Sequence, residues 1–291
     1  MTAMNMKNNQ PPASYFTLCQ ANPARFRKLY TQSYCVLHVL GGAKHIYRQD
    51  GSQLTVKTGD LVLFRAGESI TFENQPAGTN DPYRAEGIAY RPDFVEAFQE
   101  QSNISRSAEN SDHRRLPCSG DISKTYRQAV DALLTPDLPA AIAEHRLTEV
   151  LIWLTQAGIP LFLRHKPSFA ERVRLTLLTD LEHRWRAREI AERLAVSEAT
   201  LRRKLSAEET SFSDILQDAR LSHALDLLMT SDKPITEIAL TAGYGTPSAF
   251  SRSFRDRFNL TPREIRVPRE TFSSTENDRI GTETDRDGKA A

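Results

Sequence analysis

Apolar and polar positions along this chain follow two periods, with the change falling near Ile122. From residue 15 to about 98 the pattern is short. YCVLHVL (34–40) and LVLF (61–64) are β-rich runs, and HIYRQD and ITFENQ each end in turn-prone residues. Gly41-Gly42, Asp50-Gly51, Gly59-Asp60 and Gly67 punctuate them, so an antiparallel sandwich or small barrel is predicted. Residues 99–121, QEQSNISRSAENSDHRRLPCSGD, are polar and aperiodic and read as a loop. Beyond them the period is helical. In LPAAIAEHRLTEVLIWLTQAG (138–158), Ile142, Leu147, Val150, Leu151 and Leu154 make an apolar stripe, with Asp137 as the expected cap and Gly158 as the expected stop. That helix packs on its own barrel, or also on its copy in a homodimer; the pattern leaves both open.

After HKPS (165–168) no strand pattern remains, and two segments resemble each other. REIAERLAVSEATLRRKL (188–205) and TEIALTAGYGTPSAFSRSF (236–254) both run Glu-Ile-Ala, a short turn, and a helix with bulky residues four apart. Those pairs, Leu201/Leu205 and Phe250/Phe254, each fall on one helix face. Helix, turn and helix make a unit whose second helix fits the major groove. Ser197 and Thr246 are the expected caps, and Pro247 is tolerated at a first helical position because that N–H has no partner there. The units span about 186–207 and 235–258, and a helix of about 212–229 joins them.

Charge alters the picture locally. The 291 residues carry a net charge of only +1, and acids and bases nearly balance between Ala170 and Glu270, unlike a strongly basic nucleic-acid binder. The bases cluster, however: Arg202, Arg203 and Lys204 in one candidate recognition helix, Arg252, Arg255 and Arg257 in the other. Basic edges on a neutral body suit phosphate contact combined with base reading. Cys19, Cys35 and Cys118 are few, odd in number and without metal-type spacing, which predicts free thiols in a reducing compartment. The start, MTAMNMKNNQPPASY, shows no secretory pattern, and no apolar run reaches about 18–20 residues. A cytoplasmic protein without membrane contact is expected.

The helical part resembles the two-motif DNA-binding domain of the AraC/XylS family of bacterial transcription regulators. EIAERLAVSEATLRRKL, SFSDILQDARLSHALDLL and PITEIALTAGYGTPSAFSRSFRDRFNLTPREIR carry the likeness, and KLSAEETSFSDI is similar to the subgroup of enteric acid-response and virulence regulators. LTVKTGDLVLFRAGESITF (54–72) has the cadence of a cupin-like barrel, similar to the family's sensor domain. The resemblance implies an α+β chain: an N-terminal cupin-like β-barrel with accessory helices, and a C-terminal all-α domain with two helix-turn-helix motifs. The expected divisions are a flexible start (1–14), a sensor and dimerisation domain (15–165), a DNA-binding domain (169–268) and a disordered tail (271–291). It further implies a regulator of the activator class that binds double-stranded promoter DNA and contacts RNA polymerase, with no cofactor. Ala199, Thr200, Arg202, Arg203 and Lys204 would face the groove from the first recognition helix, and Ser248, Ser251, Arg252 and Arg255 from the second. Pro247 stands where many relatives carry a base-reading side chain, so the first helix is expected to discriminate more.

Two other readings stay open for the barrel. A metal-dependent cupin enzyme fused to the DNA-binding part would need convergent ligands, yet His38 and His45 are the barrel's only histidines and lack ligand spacing. Cys118, in RLPCSGD, reads as an unreactive free thiol in a polar loop. The barrel otherwise binds a small effector or receives a regulatory protein; Tyr34, His38, Tyr47, Arg65 and Arg84 are the candidates for an anionic effector's pocket.

Overall fold

The computed structural model describes residues 11–48, 51–102, 114–162 and 167–266. The expected tail (271–291) and the first ten residues of the expected flexible start lie outside them. Ala13 and Ser14, assigned to that start, belong instead to the first strand, where they pair with Tyr90 and Ala89. The alanine is buried, which explains why the strand begins early.

Among the described residues, nine strands form two antiparallel sheets. β1 (Ala13–Gln20), β8 (Tyr83–Tyr90), β3 (Tyr34–Gly41), β6 (Asp60–Phe64) and β9 (Arg115–Pro117) lie in that order in one. β2 (Ala24–Tyr30), β7 (Ser69–Gln75), β4 (Ala43–Tyr47) and β5 (Gln53–Lys57) form the other. Because side chains alternate across a strand, the first sheet has two different faces. Leu37, Val39, Val62, Phe64 and Ala85 point into the barrel core. Tyr34, Val36, Leu61, Leu63, Ile88 and Tyr90 point outward into a second core closed by helices.

Those helices are α1 (Pro92–Ser102), α2 (Asp121–Leu134) and α3 (Ala140–Gln156). The polar stretch read as a loop thus contains the end of a helix and a strand. Pro92 opens α1 and Asp93 lies in its first turn, both favourable at a helix start, while Phe94, Val95 and Phe98 bury one face. β9 is short and visible only through its pairing with β6. In α3 the buried stripe is Leu147, Val150, Leu151 and Leu154. Ile142 is not part of it, being 46% exposed. The cap position is Pro139 rather than Asp137, so Asp137 sits two residues too early to act as the cap. Gly158, at φ 75°, does end the helix, and the Ile159 N–H closes on the Leu154 carbonyl.

The C-terminal part comprises α4 (Phe169–Leu177), α5 (Ala187–Arg193), α6 (Glu198–Ala207), α7 (Phe212–Thr230), α8 (Ile235–Thr241), α9 (Pro247–Phe258) and α10 (Pro262–Ile265). Around α4–α6, Phe169, Val173, Trp185, Ile190, Leu201 and Leu205 close a core of their own. The core of α8–α10 is instead continuous, through α7, with the barrel interior. No described helix is long and apolar enough to cross a membrane.

Candidate nucleic-acid interface and buried-lysine cleft

The two helix-turn-helix units are built alike at atomic level. In each, the first helix ends with a residue in left-handed conformation, Ala195 (φ 54°) or Gly243 (φ 77°). The following N–H bonds back into the last turn, Val196 to the Ala191 carbonyl and Tyr244 to the Ala239 carbonyl, both at 2.9 Å, which is the Schellman stop. A hydroxyl then starts the second helix. Ser197 Oγ accepts from the Thr200 N–H and Thr246 Oγ1 from the Ala249 N–H, both at 3.2 Å. Glycine is required in the second turn, because a Cβ on Gly243 would stand 2.1 Å from the Leu181 carbonyl oxygen.

These stops and caps aim α6 and α9. Leu201, Leu205, Phe250, Phe254 and Phe258 are buried beneath them. Ala199, Arg202, Arg203 and Lys204 are exposed on α6, as are Ser248, Arg252 and Arg255 on α9, while Thr200 and Ser251 are half-buried. Thr200 accepts a hydrogen bond from the Ser197 hydroxyl. Lys204 lies with Nζ 4.9 Å from the centre of the Phe169 ring, a cation–π seat that directs its charge toward α4. Beside it, Glu208 accepts the N–H groups of Phe169 and Ala170, both at 2.9 Å, tying the end of α6 to the start of α4. The 19 residues of α7 between the units span about 28 Å, the order of one turn of B-DNA, about 34 Å.

Arg257 faces the other way. It stands three residues after Phe254, on the inner side of α9, with Nε 2.9 Å from Asp218 Oδ1 of α7. Its Nη2 donates to the barrel carbonyls of Arg27 and Lys28, where β2 bulges. The Phe26 and Phe258 rings meet beside it at 5.6 Å. The second unit is therefore fastened to the barrel.

A cleft of about 80 Å³ lies between barrel and α7, lined by Phe16, Leu37, Phe64, Phe72 and Cys35 on one side and Leu225, Asp226 and Met229 on the other. Lys44 enters it, 1% exposed. Its ammonium donates to Asn74, which donates in turn to Gln20, and it sits 3.8 Å from the Phe72 ring centre. Burial drives the Lys44 pKa down to about 7, with Cys35 opposing. Asp226 is pushed up to about 6 by burial, against a hydrogen bond from Ser33.

The five residues expected to gather around an anionic effector do not gather. None lines this cleft. Tyr34 packs on Phe162 and His38 bonds Glu86, both on the helix-covered face of the first sheet. The Tyr47 hydroxyl donates to Glu73, and Arg25 covers its ring. Arg65 is buried against the Pro160 carbonyl and Glu68, and Arg84 is half-exposed near Asp81. The reason is parity: Tyr34 and His38 occupy even positions of β3 and Tyr47 an odd position of β4, whereas Cys35, Leu37 and Lys44 face inward. Lys44 shares its face with the buried Ile46, the one signal in the sequence that marks it. Among the described residues no three His, Cys, Asp or Glu side chains gather as a metal site would require.

Residues 15–155 match the AraC-like ligand binding domain and residues 190–267 a helix-turn-helix domain family. Over 92 residues the chain is 41% identical to the transcriptional regulator SirC of Salmonella typhimurium, covering 32% of this chain and 31% of SirC. Over 105 residues it is 32% identical to the virulence regulon transcriptional activator VirF of Shigella flexneri, covering 36% of this chain and 40% of VirF. The matched stretches thus span about a third of the length of these relatives. Among solved structures, unsaturated-fatty-acid-bound ToxT of Vibrio cholerae superposes with TM-score 0.65 at 17% identity, over 90% of this chain and 96% of that one. An apo ToxT variant gives 0.66 at 16% identity, over 90% and 100%. At such identities the likeness shows the fold. Two family domains in this order, on the two-sheet and two-motif architecture described, mean that the chain belongs to the AraC family.

Proposed function

We propose that the protein is a sequence-specific DNA-binding transcriptional regulator that lays α6 and α9 into successive major-groove segments of promoter DNA. The observation that carries this reading is the pair of capped helices, each buried on one side and bearing exposed arginines on the other, held at fixed spacing by α7. Arg202 and Arg203 read bases from α6, with Ala199 against the groove floor and Thr200 at its edge. Arg252 and Arg255 on α9, with Ser248 and Ser251, act more on phosphates, because Pro247 occupies the position nearest the bases. Lys204, exposed beside Phe169, adds positive charge at the edge of α6. The protein works in the cytoplasm and activates by contacting RNA polymerase, as befits relatives such as VirF that are named activators. DNA fragments co-purified with the protein supply the probe for a gel-shift assay. Arg203→Ala lowers specific affinity about tenfold or more and Arg252→Ala by less, given the worth of one arginine–guanine pair. Unchanged binding by both variants would overturn the assignment.

The cleft favours a carboxylic acid with an apolar tail: Lys44 meets the acid and the aromatic wall meets the tail. ToxT, whose solved structure holds an unsaturated fatty acid, supports that class. A tail longer than the cleft parts the seam between barrel and α7. Oleate then raises the melting temperature of the wild type and not of Lys44→Met; equal shifts in both would place the acid away from Lys44, and no shift in the wild type would favour control by a partner protein. A homodimer through α3 is supported by Ile142, Ile152 and Trp153, exposed opposite the buried stripe.

A further inference from the structure

The two helix-turn-helix units differ in the segment that leads into them. Before α8 the base is Lys233, paired with Glu237 at 2.8 Å. Before α5 the chain reads EHRWRAR (182–188), with its charged residues exposed. Trp185 fixes that segment. Its ring is buried in the core of the first unit, and its indole N–H donates to the Asp180 carbonyl at 2.6 Å. The His183 ring stands edge-on to it at 4.6 Å, and Arg193 covers it at 4.5 Å. With the tryptophan turned inward, its neighbours Arg184 and Arg186 are left exposed on either side. The acids close by are engaged. Asp180 accepts the His183 N–H at 3.1 Å, and Glu192 holds Arg188 at 2.9 Å. Glu189 meets the His183 imidazole at 3.1 Å and accepts the Arg186 N–H at 3.0 Å. That leaves Glu182 against three exposed arginines, Arg184, Arg186 and Arg193.

The same loop, residues 178–186, touches both units. Arg220 of α7 donates from Nη2 to the carbonyls of Leu181 and His183, at 3.1 and 3.0 Å. Gly243, in the turn of the second unit, lies so close to the Leu181 carbonyl that no Cβ fits between them. The loop therefore sits where the first unit meets the turn that leads into α9. On one face of a duplex, successive major-groove segments are separated by a minor groove and the phosphates that border it. The first helix of such a unit crosses that backbone, and the loop delivers the chain to the start of α5.

We propose that Arg184 and Arg186 form a third DNA contact, gripping backbone phosphates between the segments held by α6 and α9. Resting on the placement of α6 and α9 in the major groove, this contact neutralises charge without reading bases. Each guanidinium releases counterions condensed on the duplex, so the grip weakens steeply as salt rises. It also gives the first unit an anchor that the second, with Lys233 paired, does not have.

The test is a fluorescence-anisotropy titration of the full-length protein across a salt series. The probes are a co-purified promoter fragment and an unrelated duplex of equal length. Arg184→Gln with Arg186→Gln lowers the slope of log affinity against log salt by about 2, about 1 for each lost phosphate contact. Affinity for both duplexes falls by the same factor, whereas Arg203→Ala weakens the promoter fragment more than the unrelated duplex. Arg184→Lys with Arg186→Lys keeps the wild-type slope, because a phosphate accepts either cation. A packing defect around Trp185 would not be rescued that way. An unchanged slope in the Gln variant, a loss confined to the promoter fragment, or no rescue by lysine overturns the third contact and leaves α6 and α9 in place. A wild type that binds neither duplex overturns both.

Discussion

Leu201 and Leu205 of the first helix-turn-helix unit close a small core with the preceding Phe169 and Trp185 and without help from the barrel, whereas Phe250, Phe254 and Phe258 of the second share one apolar cluster with Phe26 and Phe72. The units have the same stops and the same caps, so the difference is in the seat and not in the design of the motif. Local chemistry builds each unit; three aromatic rings and one arginine decide that the second moves with the barrel. The first unit is joined to the remainder mainly through α7 and through Arg174, which covers the Tyr30 ring at 4.8 Å.

The largest expected effect breaks this contrast at its centre. Phe258→Ala removes a ring that meets both Phe26 and Phe254, at a cost of about 3–5 kcal/mol. The loss reaches the barrel as well as the second unit. Leu205→Ala costs about 2–5 kcal/mol and stays within α4–α6. The two tryptophans report separately, Trp153 from the barrel's α3 and Trp185 from the first unit. Phe258→Ala lowers the melting midpoint read at Trp153 more than that read at Trp185, and Leu205→Ala does the reverse. Equal shifts at both positions would mean that the two cores unfold as one.

A smaller effect separates the two turns. Gly243→Ala places a Cβ against the Leu181 carbonyl in a left-handed conformation, and costs more than about 2 kcal/mol. At the matching position the first unit already tolerates Ala195, so Ala195→Gly is neutral or stabilises by up to about 1 kcal/mol. Chemical denaturation of the two variants checks the asymmetry.

How far the sequence reveals this arrangement depends on the range of each interaction. Ser197 and Thr246 are legible as caps because the N–H each one accepts is three residues away. The repeated unit is legible because Leu201/Leu205 and Phe250/Phe254 repeat a spacing. Parity in a strand groups Cys35 with Leu37 and Lys44 with Ile46, but the inward face is set by α2 and α3, which close the outer side from far along the chain. That is why Tyr34, His38, Tyr47, Arg65 and Arg84 look like one pocket in the sequence and do not form one in the fold. Arg257 looks like Arg252 and Arg255 in composition. Only its place on the helix, seven residues after Phe250 and three after Phe254, puts it on the buried side.

The smallest expected effect bears on the seam itself. Asp226 has a pKa raised by burial from 3.8 to about 6, so the folded chain holds this proton more tightly than the unfolded one. The stability it contributes is complete below about pH 4 and is lost as pH rises through 6. Asp226→Asn therefore raises the melting midpoint above pH 6, and the gain disappears near pH 4. The shift registers at Trp153 and not at Trp185, because the first unit does not touch this group.

One helix, α7, sets the distance between the two DNA-facing helices and also supplies Ser222, Leu225, Asp226 and Met229 to the wall of the cleft. In railway terms it is both the sleeper that fixes the gauge and the lid of the signal box. A molecule that lifts this helix from the barrel cannot loosen one rail alone; it alters the track width that the promoter must match.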